Sequence, residues 1–313
     1  MIRRLVTASF VVLPFFAASA ADAAAILNSD LLTQFNAIVG DFQTTSETEG
    51  AVIIGGNLSG GSATLDARSR HPSGTVSGFA DVNVYGTTSG GTYNVNNLHV
   101  KVGTPQGTAT FSGGTTTYNA TFPASYATIS GRLKTLSADL TKLRGTSGSS
   151  LTNSVFIAAP VGGVAVLNVT GSQLANLSNP SFQLNGAQLL IINVDASSYS
   201  AGNGINFNNS GIGSKILWNF YDATSLSFGV EFGGTILAPN AVVTNSSPIN
   251  GTLFALSFSG HSELHDVPLS YATYLDKVGA VPEPSTWAMI VIGFATMGTL
   301  SYRRRNRLSA AAA

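Results

Sequence analysis

Two short stretches decide the fold: GTILA at residues 234–238 returns as GTLFA at residues 251–255, seventeen residues later. Between them lie the apolar pair Val242-Val243 and Ile249, separated by Asn, Ser and Pro. This spacing is typical of β-solenoid coils, which turn small apolar residues inward and Asn, Ser and Thr outward. Because a meander of hairpins in a β-sandwich also spaces its strands evenly, that alternative stays open, although the pattern favours the solenoid.

Similar short runs of Val, Ile, Leu and Phe occur along most of the chain, with glycine-rich stretches between them. They are too short for helices and rich in β-branched residues, which predicts strands. The runs are AVIIGGNL from Ala51, VNVY from Val82, VFIA from Val155, VAVLNV from Val164, LLIINV from Leu189 and KILWNF from Lys215. The sequence therefore predicts a mainly β protein.

Two segments have helical periodicity instead. Between residues 126 and 143, apolar residues recur every three or four positions with charged residues between them. This predicts one long amphipathic helix that ends before Gly145. A shorter helix is predicted from Ser29 to Ile38, and the residues on one face of it are Leu31, Leu32, Phe35 and Ile38.

The composition excludes several classes of protein. Only 10% of the residues are charged, against roughly 25% in an average soluble domain, and no cluster of Lys and Arg indicates nucleic-acid binding. The chain has no cysteine, which excludes disulfides, thiolate metal sites and cysteine catalysis. Residues 26–280 hold nine basic and thirteen acidic residues, a net charge of −4.

The N-terminus has the pattern of a secretory signal peptide. Arg3 and Arg4 precede an apolar run from Leu5 to Ala18, and small residues suited to cleavage follow. An N-terminal membrane anchor is less favoured because the run is short. We predict a signal peptide at residues 1–25, an exported domain at residues 26–280 and a cleavage region marked by Ala18, Ala20, Ala23 and Ala25.

The C-terminal tail, residues 281–313, begins with VPEPSTWAM. Its uncharged run from Trp287 to Leu300 would form a helix about 21 Å long, short of the ~30 Å hydrocarbon core of a bilayer. An arginine cluster follows, which predicts a transmembrane helix at residues 287–302 with a cytoplasmic basic end.

This tail resembles the PEP-CTERM sorting signal of Gram-negative bacteria, in order, spacing and position. The resemblance implies processing by a membrane enzyme, an exosortase, and display at the cell surface or in the extracellular matrix. An ordinary C-terminal anchor would explain the helix and arginines but not the VPEP entry. The matching residues are Pro282, Glu283, Pro284, Arg303, Arg304 and Arg305.

The body of the chain resembles choice-of-anchor A domains, in GAVIIGGNL after Glu49 and in the later stretches WNF, ILAPNA, NG and GHSELH. The resemblance implies an adhesive surface domain without established chemistry. The repeated coils are also similar to those of bacterial ice-binding proteins, which implies a right-handed β-helix with the helix at about 126–143 along its flank. The matching residues are Glu49, Gly50, Gly55, Gly56, Asn57, Trp218, Asn219, Phe220, Leu237, Ala238, Pro239, Asn240, Ala241, Asn250, Gly251, Glu263, Leu264 and His265.

Few residues suggest a chemical site. His261, Glu263 and His265 alternate, so in a strand they would share one face and could hold a divalent metal, but an ordinary solvent face is favoured. Trp218 and Phe220 could stack on a sugar, yet their alternation with Tyr221 favours burial in the core. No nucleophile elbow, zinc-protease motif or phosphate loop is present.

Two threonine clusters, at residues 108–110 and 115–117, raise the question of ice binding, but no T-x-T motif recurs at coil spacing. We therefore expect a non-catalytic adhesin, without cofactor or metal, that contacts extracellular polysaccharide in a biofilm through a weakly charged face of Asn, Ser and Thr. The alternative is an ice-binding-like or polysaccharide-active protein on the same scaffold.

Overall fold

The structure is a computed structural model that describes residues 26–69, 71–202 and 211–279. Several predicted features lie outside these residues: the signal helix with Ala18, Ala20, Ala23 and Ala25, the motif residues Pro282, Glu283 and Pro284, the helix at 287–302, and the cluster Arg303, Arg304 and Arg305. In the described part of the chain, no helix has the length and apolar character needed to cross a membrane.

Strands outnumber helices in the order of elements. The α-helices are α1 (Asn28–Gln34), α2 (Tyr126–Leu140) and α3 (Gly171–Ala175), and single 3₁₀ turns occupy Gly74–Val76, Gly213–Lys215 and Ala272–Asp276. The strands of the first half are β1 (Phe35–Thr44), β2 (Ala51–Ile54), β3 (Leu58–Gly60), β4 (Ala63–Thr64), β5 (Val82–Val84), β6 (Thr92–Asn94), β7 (His99–Val102), β8 (Thr110–Ser112) and β9 (Thr115–Thr117). Those of the second half are β10 (Ser150–Thr152), β11 (Val155–Ile157), β12 (Val164–Thr170), β13 (Ser181–Gln183), β14 (Leu189–Asp195), β15 (Ser198–Ala201), β16 (Ile216–Asn219), β17 (Ser225–Phe228), β18 (Phe232–Gly233), β19 (Thr235–Asn245), β20 (Ile249–Asn250), β21 (Leu253–Gly260) and β22 (Leu264–His265).

The largest sheet has 13 strands, and its main path runs β12-β14-β16-β19-β21-β1-β2-β5-β7-β9. Strands β15 and β17 pair beside the second half of β19, and β3 pairs beside the second half of β1. Two smaller sheets, β18-β20-β22 and β4-β6-β8, are also parallel, whereas the sheet β10-β11-β13 contains an antiparallel pair. The prediction of a mainly β protein is confirmed, and each of the six quoted β-prone runs contains a strand.

The repeat that opens the sequence argument forms adjacent strands. Ile236, Leu237 and Ala238 lie beside Leu253, Phe254 and Ala255 in parallel register. Because hairpin neighbours pair antiparallel, this register excludes a hairpin meander for the repeated segment.

The first and last long strands of the domain meet in the middle of the sheet. Strand β1 pairs on one side with β2 and on the other with β21, both in parallel. The predicted helix from Ser29 to Ile38 is therefore wrong in its second half: α1 ends at Gln34, and Phe35 begins β1. The backbone of β1 forms hydrogen bonds with a neighbouring strand on each side. This tertiary pairing outweighs the helical spacing of the side chains.

The long helix covers one face of the main sheet. Its buried residues Ile129, Leu133, Leu136 and Leu140 match the predicted apolar stripe and pack with side chains such as Phe254 of β21. The predicted end at residue 143 is wrong by three residues, since the helix ends at Leu140. The carbonyl oxygen of Leu140, in the last turn, accepts hydrogen bonds from Asn193 Nδ2 at 2.9 Å and from the backbone nitrogen of Leu143 at 3.2 Å.

Candidate adhesive surface

Six neighbouring parallel strands present hydroxyl and amide side chains on their outward side. We call this surface the hydroxyl face; it belongs to β15, β17, β19, β21, β1 and β3, in that order across the sheet. Adjacent strands lie about 4.8 Å apart, so the face is about 24 Å wide. One column of aligned residues is Ser200, Ser227, Thr244, Ser259, Gln43 and Ser59, and a second is Ser198, Ser225, Val242, Ser257 and Asp41.

The inward side of the same strands explains why these residues point outward. Alternate positions carry apolar side chains that are aligned across the strands and buried, and the alternation of a β-strand leaves the polar residues on the opposite side. Within this row, the rings of Phe42 and Phe258 have centroids 5.3 Å apart. The buried row is Tyr199, Leu226, Val243, Phe258, Phe42 and Leu58. A packed apolar interior thus supports the strands and fixes which of their side chains point outward.

Most hydroxyl groups of the hydroxyl face are free to meet a ligand. Ser259 donates to Oε1 of Gln43 at 3.2 Å, and Thr244 reaches the carbonyl of Leu226 at 3.5 Å. Over the described ranges of the chain, the remaining serines of the two columns make no side-chain hydrogen bond: Ser198, Ser200, Ser225, Ser227, Ser257 and Ser59. Each hydroxyl can donate one hydrogen bond and accept two.

The hydroxyl face carries little charge. Asp41 is its one acidic residue, and its Oδ1 accepts from the backbone nitrogen of Asn57 at 2.7 Å and from Asn57 Nδ2 at 3.3 Å. Val242 is 46% exposed and interrupts the second column with an apolar side chain. The face therefore suits a neutral, hydroxyl-rich partner better than a charged one.

A signal for this face is present in the sequence but was missed. The triplets SYS (198–200), SLS (225–227) and SFS (257–259) each place two serines around one apolar residue. They stand at unequal distances along the chain because loops of different length join the strands. Only the parallel register aligns them, so no constant repeat in the sequence reveals them.

A second polar surface lies on the sheet β4-β6-β8. Thr92 and Asn94 flank the buried Tyr93, and they align with Thr110 and Ser112 on the next strand. Beside them is a groove of about 510 Å³ that includes Glu47 and Thr64. The threonine cluster at 115–117 does not extend such an array, because Thr115 and Thr117 lie beside His99 and Lys101.

The three candidate metal ligands do not share a strand face. His261 follows the end of β21, whereas His265 belongs to β22. The ring of His265 is already engaged, with Nε2 2.8 Å from Glu263 Oε2 and Nδ1 2.6 Å from Asn250 Oδ1. No group of three or more His, Cys, Asp or Glu side chains that could hold a metal occurs in residues 26–69, 71–202 and 211–279.

The aromatic pair considered for sugar stacking is in the core. Trp218 and Phe220 are both fully buried, as their alternation with Tyr221 predicted. The indole nitrogen of Trp218 donates to the carbonyl of Gly233 at 3.0 Å, which connects β16 to β18. Neither ring can reach a ligand.

Two residues of the stretches that resemble choice-of-anchor A domains connect distant segments of the chain. Glu49 pairs with Arg68 at 3.0 Å and accepts from the backbone nitrogen of Asp266 at 2.8 Å. Asn57 accepts at Oδ1 from the backbone nitrogen and hydroxyl of Thr87, at 3.0 and 2.6 Å. These two residues stabilise the scaffold, and neither belongs to the two columns of the hydroxyl face.

Two models of known protein families match the chain. The family model described as "Putative Ice-binding-like adhesive domain" matches residues 28–266, and the model of the PEP-CTERM protein-sorting motif matches residues 280–305. No curated protein and no solved structure matches the chain. The sorting match covers the predicted Pro282–Pro284 and Arg303–Arg305, whose individual roles stay predictions.

The two matches define the kind of protein. A PEP-CTERM motif is a substrate signal for exosortase processing, and an adhesive domain joined to it indicates an exported protein of the cell surface. The adhesive-domain match covers most of the chain, including every strand of the hydroxyl face. The chain therefore belongs to the family of ice-binding-like adhesive domains.

Proposed function

We propose that this protein is a non-catalytic adhesin that binds extracellular polysaccharide through the hydroxyl face. The observation that carries the proposal is the alignment of hydroxyl and amide side chains on six adjacent parallel strands. Each net hydrogen bond contributes only about 0.5–1.5 kcal/mol, so affinity must come from many contacts repeated over a wide surface. A long polysaccharide offers such repeated hydroxyl groups.

The scaffold for this surface is a right-handed β-solenoid of the choice-of-anchor A type, with α2 along its flank. Parallel pairing of strand after strand in three of the sheets supports this architecture. A solenoid brings side chains from distant segments into straight columns at the strand spacing.

The absence of catalysis forms part of the proposal. The columns of the hydroxyl face contain hydroxyl groups, one amide and one carboxylate, and no histidine belongs to these strands. The carboxylate, Asp41, lies opposite Ser257, but its Oδ1 already accepts two hydrogen bonds from Asn57. A serine needs an adjacent base to act as a nucleophile. We infer that the serines act as hydrogen-bonding groups for the ligand.

The sorting tail supplies the location. We propose that the tail holds the protein in the membrane through residues 287–302 until an exosortase processes it, and that the adhesive domain then joins the extracellular matrix of a biofilm. The order of an adhesive domain followed directly by the sorting motif supports this sequence of events.

The test replaces three aligned residues of the full chain, Ser200, Ser227 and Ser259, by lysine. Ser200 and Ser227 lie on the neighbouring strands β15 and β17, and Ser259 lies in the same column on β21, beyond β19. Long charged side chains at these three positions would keep a polysaccharide from lying against the face. A matched variant places lysine at Ala127, Thr135 and Ala138, which are exposed on α2. Binding to matrix polysaccharide from the producing cells is measured by sedimentation, and melting temperature checks the fold.

We expect the face variant to lose at least about tenfold in affinity, which is about 1.4 kcal/mol, and the helix variant to bind as the unchanged protein does. Equal binding by both variants would contradict adhesion through the hydroxyl face. Hydrolysis of the polysaccharide by the unchanged protein would replace the non-catalytic function with an enzymatic one.

Ice is a second candidate ligand, since the hydroxyl columns repeat at a constant strand spacing. Gln43, Asp41 and Val242 interrupt this regularity, which is why polysaccharide is preferred. Thermal hysteresis of the unchanged protein that disappears in the face variant would assign the face to ice instead.

A further inference from the structure

A pocket of about 300 Å³ lies where three parallel strands and the long helix end together. It is separate from the columns of the hydroxyl face. Its polar wall is formed by Thr141, Asn168, Thr170, Asn193, Asp195 and Tyr221. Thr141 follows α2, Thr170 and Asp195 end β12 and β14, and Tyr221 follows β16 by two residues.

The pocket has a rigid floor because a chain of amide hydrogen bonds crosses three strands. Asn219 donates from Nδ2 to Oδ1 of Asn193 at 2.8 Å, and Asn193 donates in turn to Oδ1 of Asn168 at 2.9 Å. Asn168 is the last residue of this row of hydrogen bonds and is exposed at the surface. In the described part of the protein, its own Nδ2 has no hydrogen-bond partner. An amide donor is therefore aimed outward from a fixed position.

The charge of the pocket has one sign. Asp195 is exposed and makes no ion pair within the described residues, and none of the described residues that line the pocket is basic. The C-terminal end of α2, with its partial negative charge, also lies at the wall through Thr141. These groups together attract a cation.

Tyr221 adds an aromatic wall and a donor. Its ring is half-buried, and the carbonyl oxygen of the same residue accepts from Asn240 Nδ2 at 3.4 Å, which helps to hold the backbone in place. Burial raises the pKa of the Tyr221 hydroxyl, and the charges of Asp195 and Asp222 raise it further. The hydroxyl thus stays protonated at neutral pH, where it can donate, while the ring face can contact a cation or the apolar side of a sugar.

We propose that this pocket binds a hexosamine unit with a free ammonium group, within a longer polysaccharide. The ammonium group meets the Asp195 carboxylate and the Tyr221 ring, and the sugar hydroxyls meet Asn168, Thr170 and Thr141. A neutral hexose lacks the charge that Asp195 would balance, and a uronic acid is repelled by it. The inference rests on the proposed adhesive function, for which it names a ligand class.

The experiment titrates the full chain with three tetrasaccharides: β-1,4-linked glucosamine, its fully N-acetylated form, and galacturonic acid. We expect the glucosamine oligomer to bind at least about tenfold more tightly than either of the others, equivalent to about 1.4 kcal/mol. Asp195→Asn should remove this preference, and Tyr221→Ala should weaken binding of the glucosamine oligomer about tenfold. Isothermal titration calorimetry measures both quantities.

Matched variants separate this site from other charged and polar surfaces. Glu47→Gln removes one carboxylate from the separate groove beside β4 and should leave the preference unchanged. The triple lysine variant of the hydroxyl face should also retain it, even where it has lost adhesion to matrix polysaccharide. Unchanged melting temperatures for Asp195→Asn and Tyr221→Ala show that the fold is intact.

Two results would overturn the hexosamine site. One is equal affinity for the three oligosaccharides, and the other is a preference for glucosamine that survives Asp195→Asn. Neither result bears on the proposed adhesive function, which fails only if the hydroxyl-face variant binds matrix polysaccharide normally.

Discussion

Gly55 and Gly56 allow close packing of the segment after β2 against α2 and β1. A Cβ atom on Gly55 would stand 2.1 Å from Cδ1 of Tyr126, and one on Gly56 would stand 2.3 Å from Oδ1 of Asp41. The GGN segment belongs to the part of the sequence that resembles choice-of-anchor A domains. Its physical reason was not predictable, because Tyr126 lies 71 residues away along the chain.

Gly55 and Gly131 have different surroundings, so their substitution by alanine should change stability in opposite directions. Gly55→Ala should destabilise the protein by about 1–3 kcal/mol, the usual cost of forcing a methyl group into a packed site. Gly131→Ala should stabilise it by about 0.5–1 kcal/mol, because Gly131 lies within α2 and a Cβ there meets nothing within 4 Å. Urea denaturation of both variants measures the free energies of unfolding.

A double variant identifies the cause. If the ring of Tyr126 is responsible, the cost of Gly55→Ala should fall substantially when Tyr126→Ala is also present. An undiminished cost in that background would mean that the strain at Gly55 has another origin.

At the scale of elements, the apolar spacing of the long helix correctly predicted which residues are buried but not where the helix ends. The spacing continues to Leu143, so the sequence alone favours a longer helix. After Leu140 the backbone instead forms tight turns, and the carbonyl of Leu140 accepts a hydrogen bond from the amide of Asn193, on a strand about fifty residues later. The local spacing contains no information about such a partner. The same limit applies to α1, whose end depends on the pairing of β1 with β21.

Asn219 is the central connection between this helix and the sheet. It is fully buried, donates to the carbonyl of Ser137 at 2.9 Å and to Oδ1 of Asn193 at 2.8 Å, and accepts from the hydroxyl of Ser137 at 2.6 Å. Asn219→Leu has a similar size but would leave buried polar groups without partners, at about 1–3 kcal/mol for each group. Chemical denaturation should report a lower free energy of unfolding.

Asn240→Leu is the control, since Asn240 is exposed and makes a single long hydrogen bond of 3.4 Å. Its free energy of unfolding should stay within about 0.5 kcal/mol of the unchanged protein. A loss at Asn219 no larger than that at Asn240 would show that the amide chain does not secure the helix.

At the scale of the whole molecule, the sequence predicted that strands exist but not their order. Strand β1 lies beside β21, with Ala37 opposite Leu253, a separation of 216 residues. Local spacing contains no information about such a pair. For the same reason the three S-x-S triplets of the hydroxyl face could be read individually, yet their alignment required the complete fold.

The central position of β1 and β21 predicts that the domain tolerates circular permutation but not the loss of its last strands. Its two ends are adjacent, because the backbone nitrogen of Ser29 donates to Oδ1 of Asp276 at 3.0 Å and Asn28 Nδ2 donates to the carbonyl of Leu275 at 3.1 Å. A circular permutant that joins residue 279 to residue 26 by a short glycine-serine linker should therefore fold, since closing a short gap costs little chain entropy. The new ends fit between Gly162 and Gly163, next to Val161, which is 74% exposed.

The matched comparison is a chain that stops at residue 230 and so lacks β18 to β22. It keeps most of the strands but leaves one side of β1 without its partner β21, which exposes the buried row that includes Phe42. We expect the permutant to melt cooperatively, near the temperature of residues 26–279 in their natural order, and the shortened chain to show no cooperative transition in calorimetry. Cooperative melting of the shortened chain would mean that the first half folds without the last strands, and the central pairing of β1 with β21 would then be a late addition rather than the condition for folding.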